Sequence, residues 1–118
     1  EVRHVIVCGH YGCGGVRAAM GNQQYGLIDN WLRHIKDVYR IYADELDAIV
    51  DPVERENKFT EYNIIEQVND LSKTSIIQNA WAKRILPFIH GWVYDIKNGY
   101  IKDLKVSMHE NTDMPEFY

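Results

Sequence analysis

An imidazole and a thiol stand three residues apart at His10 and Cys13, and nitrogen with sulfur at that spacing suits a borderline-soft, tetrahedral ion such as zinc. Ahead of them runs Val5-Ile6-Val7-Cys8-Gly9; behind them come Gly14-Gly15 and the helix-like Val16-Arg17-Ala18-Ala19-Met20. A β-branched run ending in Gly reads as a buried strand that stops at a turn. A strand end opening into a Gly-rich loop and a helix is where open α/β sheets place ligands. Two donors are only half of a metal site, because zinc takes four in a closed site, or three plus water in a catalytic one. The remaining histidines are His4, His34, His90 and His109, the other cysteine is Cys8, and no second dense cluster follows. Three outcomes stay open: Cys8 joins the site, the site is completed elsewhere, or there is no metal.

Cys8 reads as a small buried hydrophobe at the strand end. The alternative makes Cys8, His10 and Cys13 one local three-donor knot, a small structural-zinc domain. That knot requires the strand to continue through Gly9, since only then do residues 8 and 10 share a face. His90, within an apolar run, is expected to be a satisfied core histidine. Trp31, Trp81 and Trp92 are expected as core or interface anchors, and Lys102, Asp103 and Lys105 as a solvated face.

These residues need elements to hold them. The 118 residues suffice for one domain over 1–118 and are too few for two. Apolar residues at 46% and charged ones at 25% describe a globular composition. A net charge of −4 gives no electrostatic case for nucleic acid. No apolar run approaches the roughly 18 residues of a membrane-spanning helix. Two cysteines make no disulfide framework, which favours a reducing, cytoplasmic compartment.

Apolar residues recur at three- and four-residue intervals from Leu27 to Tyr42, predicting an amphipathic helix. Asp51-Pro52 predicts the next helix start, with Phe59, Tyr62, Ile65, Val68 and Leu71 as its apolar stripe. Ser75 is placed to cap a short helix through Trp81. Residues 86–95 read as a second strand, Asn98-Gly99 as a hairpin turn, and residues 100–106 as a half-exposed edge strand. The tail, 109–118, is expected to be loose. The order implies an α/β fold: a mostly parallel sheet flanked by helices, with an antiparallel edge strand.

Glu1-Val2-Arg3 leads straight into a strand, so the chain is expected to be the later part of a longer protein, its sheet incomplete at the N-terminus. The apolar first strand is expected to lie centrally, buried on both faces, and its open edge calls for a further strand.

The stretch from Val5 to Gly15, continued through Gly26-Leu27-Ile28-Asp29-Asn30-Trp31-Leu32, Asn63, Gln67-Val68 and His90-Gly91-Trp92-Val93-Tyr94-Asp95, resembles the β-class carbonic anhydrases, most closely the bacterial members. The resemblance implies reversible hydration of carbon dioxide to bicarbonate and a proton, with zinc as cofactor and assembly as a homodimer or dimer of dimers. It identifies His10 and Cys13 with the second zinc motif, His-x-x-Cys-Gly-Gly. The first motif, Cys-x-Asp-x-Arg, supplies the family's other two ligands and the Asp-Arg pair that governs the zinc-bound water. That motif does not occur in these 118 residues. Gly14 and Gly15 are candidates to steady an anion through their N–H groups. Tyr94 matches a tyrosine that helps form a non-catalytic bicarbonate pocket in some bacterial members. A second reading, from another class, is a truncated paralogue acting as a non-catalytic assembly module.

Overall fold

The computed structural model describes residues 2–110. The β-branched run near the N-terminus forms β1 (His4–His10), whose alternation puts Val5, Val7 and Gly9 on one face and Ile6, Cys8 and His10 on the other. Helices α1 (Gly14–Met20), α2 (Ile28–Ile41), α3 (Ala43–Asp47), α4 (Pro52–Ser72) and α5 (Ser75–Lys83) follow, then β2 (Phe88–Asp95) and β3 (Tyr100–Asp103). β1 and β2 pair in parallel from His4↔Phe88 to His10↔Tyr94. β2 and β3 pair antiparallel from Trp92↔Asp103 to Asp95↔Tyr100. The expected α/β class, with a parallel pair and an antiparallel edge strand, is the one that forms.

Several local expectations change. The sheet order is β1-β2-β3, so β2 is central among the described strands and β1 lies at an edge. The hairpin partner occupies the second side of β2, whose inward residues Ile89 and Val93 are fully buried, while Val5 and Val7 are half-buried. β3 ends at Asp103, short of the expected residue 106, and is exposed throughout. There Leu104 donates its N–H to the Gly91 carbonyl (3.0 Å), Lys105 adopts φ 59°, and pairing resumes out of step at Ile89–Met108. Thr74, one residue before the expected Ser75, caps α5 by accepting from the Ile77 N–H at 3.5 Å. Of the tail, residues 111–118 lie outside the described residues.

α4 organises the packing. Asp51 accepts from the Glu54 N–H (3.3 Å) and Pro52 occupies the first turn, as the sequence predicts. The helix buries two sides. Phe59 packs with Val16 and Ala19 of α1, Leu32, Ile35 and Val38 of α2, and Leu46 of α3. Val68 packs with Ile77 and Trp81 of α5, Ile89 and Met108. Of the expected stripe, Phe59 and Val68 are core residues and Tyr62 and Leu71 pack half-buried against it, while Thr60, Ile64 and Ser72, off the stripe, are buried as well.

The sheet face away from α4 carries Ile6, Cys8, Tyr94 and Ile101, all exposed. Cys8 is thus not the buried hydrophobe expected, because alternation turns it from the α4 side. His90 sits on this outer face too, half-buried rather than in the core. It is satisfied there by the His4 imidazole (Nε2 to Nδ1, 2.9 Å) and by the Ser107 hydroxyl (2.7 Å). Of the tryptophans, Trp81 is buried and donates to the Pro87 carbonyl (3.0 Å), Trp92 is half-buried, and Trp31 is 58% exposed.

Candidate metal centre

β1 delivers His10 at the carboxyl end of the parallel pair, opposite Tyr94 in register. Pairing extends one residue further, the Tyr11 N–H donating to the Tyr94 carbonyl at 3.1 Å. The chain then turns at Gly12, whose φ of 73° is costly for any residue with a Cβ. Cys13 is the residue before α1, in extended conformation, and its carbonyl accepts from the Arg17 N–H at 3.0 Å. Both candidate ligands are half-buried.

The His10 Nδ1 lies 2.9 Å from the Tyr11 carbonyl oxygen. A carbonyl can only accept, so Nδ1 carries a hydrogen, which leaves Nε2 as the ring nitrogen a metal would take. This is the tautomer a metal ligand needs, fixed by a backbone partner. Cys13 is a free thiol. An imidazole oriented through Nδ1 and a free thiol fit zinc as two of its donors.

Tyr11 also donates its hydroxyl to Glu61 Oε2 at 2.5 Å. Glu61, on α4, is 9% exposed and is approached by Lys102 Nζ at 3.2 Å and Lys58 Nζ at 3.8 Å. Burial, first, then the Glu61 hydrogen bond and charge, raise the Tyr11 pKa, so the phenol stays a donor. Sequence reading gave no role to Tyr11 or to Glu61. A carboxylate beside Phe59 and Ile64 on a packed helix was the available signal. Nearby, the Arg17 guanidinium bridges from α1 to Glu56 of α4 at 2.8 and 3.2 Å. A cleft of about 800 Å³ opens there, lined in part by Tyr11, Gly12, Arg17, Glu56, Glu61 and Asp95.

The two glycines after Cys13 differ. A Cβ at Gly14 would meet nothing within 4 Å. One at Gly15 would lie 3.2 Å from Trp31 Cζ3 and 3.7 Å from Cys13 Sγ, so the indole and the thiol close over that glycine. Tyr94 is 39% exposed. β1 does run through Gly9 to His10, which puts Cys8 on the His10 face. Even so, among the described residues no three His, Cys, Asp or Glu side chains gather closely enough to hold a metal ion.

The carbonic anhydrase family model matches residues 1–101. A carbonic anhydrase of Emericella nidulans is 45% identical over 106 residues, covering 90% of this chain and 46% of the relative. That relative is fungal, whereas the motif match leaned towards bacterial members. The fold is similar to tetrameric β-carbonic anhydrases of the ascomycete Sordaria macrospora (TM-score 0.83, 36% identity, 91% of this chain and 54% of that one). It is similar also to the Coccomyxa β-carbonic anhydrase in complex with acetazolamide (TM-score 0.87, 28% identity, 94% and 50%). The chain spans about half the length of the curated relatives it matches. With the family model matched over residues 1–101 and the fold similar to solved β-carbonic anhydrases, the chain belongs to the β-class carbonic anhydrases.

Proposed function

We propose that the protein, at its full natural length, catalyses the reversible hydration of carbon dioxide to bicarbonate and a proton, with zinc held in part by His10 and Cys13. The observation carrying this reading is the His10 imidazole, held by the Tyr11 carbonyl with Nε2 free, in a chain of this family. Zinc, when bound, supplies the chemistry by lowering the pKa of water towards neutrality. His10 orients a single nitrogen. Cys13 would hold the ion through its sulfur, as zinc requires of a cysteine ligand. Gly14, with open space above it, offers its backbone to an anion, and Gly15 does so only on the side away from Trp31. Tyr94, partly exposed beside the His10 register position, is the residue we assign to a bicarbonate pocket. The remaining two ligands, and the Asp-Arg pair, belong to a Cys-x-Asp-x-Arg segment outside these 118 residues.

Metal analysis of the full-length protein tests this. His10→Ala with Cys13→Ser should abolish zinc binding, and Cys8→Ser should leave it unchanged. Undiminished zinc in the double variant sinks the reading; zinc lost with Cys8→Ser favours the local knot. The absence of a three-donor cluster among the described residues counts against the local Cys8 knot, and the rival that remains is the assembly module. On our reading, residues 1–118 alone hydrate carbon dioxide negligibly even with zinc supplied, and the full-length protein does so readily. An inactive full-length protein with intact fold decides for the module.

We further propose a homodimer or dimer of dimers in a reducing, cytoplasmic setting. The exposed Ile6, Tyr94 and Ile101 on the sheet face away from α4 support association, as do the two free cysteines the compartment. No helix of the described residues is long and apolar enough to cross a membrane. A monomeric mass in light scattering at micromolar concentration would count against assembly.

A further inference from the structure

The loop that carries both candidate ligands has little stiffness of its own. Between His10 and α1 stand only Tyr11, Gly12 and Cys13, and the helix opens on Gly14-Gly15. Gly12 has a left-handed backbone with open space around it. A ligand pair on such a loop needs an anchor, because a metal site tolerates little misplacement of its donors.

Tyr11 is that anchor, and all three of its hydrogen-bonding groups are engaged. Its N–H ties the loop to β2 at the Tyr94 carbonyl. Its carbonyl holds the His10 ring. Its hydroxyl reaches across to α4, where Glu61 accepts at 2.5 Å. Glu61 is itself held, being buried at the base of the helix-sheet junction with Lys102 of β3 at 3.2 Å. The carboxylate therefore ties together α4, β3 and the metal loop.

We infer that Glu61 is a positioning residue for the metal centre, acting through Tyr11 to hold His10 in register with Cys13. The inference rests on the zinc reading above. It assigns work to two residues outside the ligand motif, neither of which touches the metal.

The test uses the full-length holoprotein. Tyr11→Phe removes only the hydroxyl and leaves the backbone carbonyl on His10. Zinc affinity, measured by competition with a chelator, should fall about tenfold, in the range usual for partners of metal ligands. Thermal stabilisation by zinc, the holo minus apo midpoint, should shrink with it, and the cobalt-substituted protein should show altered visible absorption. Glu61→Gln keeps an acceptor for the Tyr11 hydroxyl and should stay within about threefold of the wild type in zinc affinity.

A purely structural bond would lower apo and holo midpoints equally, leaving affinity and cobalt spectrum unchanged. That result in Tyr11→Phe overturns this inference alone. Glu61→Gln losing zinc affinity as severely as Tyr11→Phe, with a wild-type fold, overturns the conservative-rescue part and so the role given to the acceptor. A wild-type protein that holds no zinc overturns the inference together with the reading it rests on. The separation is clean because both variants are read against the same wild-type affinity.

Discussion

Gly91→Ala should destabilise the fold much more than the same change at Gly9, although both glycines lie on the sheet face under α4. A Cβ at Gly91 would sit 2.8 Å from Val106 Cγ2, 3.1 Å from Val68 Cγ2 and 3.2 Å from Ile64 Cγ2. Ile64 and Val68, at 3% and 0% exposure, come from α4 and Val106 from the segment after β3, so relief calls for movement on both sides of the glycine at once. The closest falls about 0.6 Å short of ordinary contact. Overpacking of this kind costs roughly 1–3 kcal/mol. A Cβ at Gly9 meets Ile64 alone, at Cδ1 (2.8 Å) and Cγ1 (3.0 Å). That chain end can change rotamer, at a cost of about 1 kcal/mol or less. For a domain of this size, 2 kcal/mol lowers the Tm by about 8 °C. Parallel urea and thermal melts of the two variants provide the assay. Equal losses, or a larger loss at Gly9, would refute the argument that the α4–sheet spacing is set at Gly91.

Alkaline pH should weaken the fold. Burial and carboxylate hydrogen bonds raise the pKa of Tyr11 and Tyr39, and the bond to Glu45, then burial, push Tyr62 up to about 12. The folded state thus keeps phenol protons that the unfolded chain releases, so stability is whole below about pH 10 and is lost as pH rises through the folded values. A urea midpoint flat between pH 9 and 12 would contradict this. Asp51→Ala removes the cap of α4 and should cost about 1 kcal/mol by denaturant melting. Gly15→Ala presses on Trp31, which is exposed enough to yield. Its expected signature is a shift in tryptophan fluorescence with stability changed by only about 0.5 kcal/mol.

The fold was legible where a local rule decides. β-branched residues mark β1 and β2, Asp51-Pro52 marks the start of α4, and Asn98-Gly99 the hairpin, where Gly99 takes φ 75°. It was illegible where the outcome depends on what packs against what. Cys8 looks like a core residue in a run of apolar neighbours, yet which face of a strand is covered is decided by α4, far along the chain. The apolar stripe of α4 is incomplete for the same reason: a helix packed against a sheet and four other helices buries more than one face. At the site, His10 and Cys13 announce themselves by type and spacing. The tautomer of His10 could not be read, because it depends on the carbonyl of its neighbour in a particular turn.

The carboxylates of α4 show how such hidden information is carried. Glu61 and Glu66 are both buried, at 9% and 6% exposure, on α4. Each accepts from a tyrosine on a different element, Tyr11 beside the metal loop and Tyr42 after α2, where Tyr42 also stacks on Tyr62 at 4.0 Å. A buried carboxylate without its partner is costly, so a rotated α4 would lose both bonds at once. Apolar packing brings the helix to the sheet, and these two polar ties add to the contacts that fix its rotation. The same choice places Glu61 under Tyr11. Thus the residues that orient α4 in the core also locate the loop bearing His10 and Cys13, and damage to either function should be felt by the other.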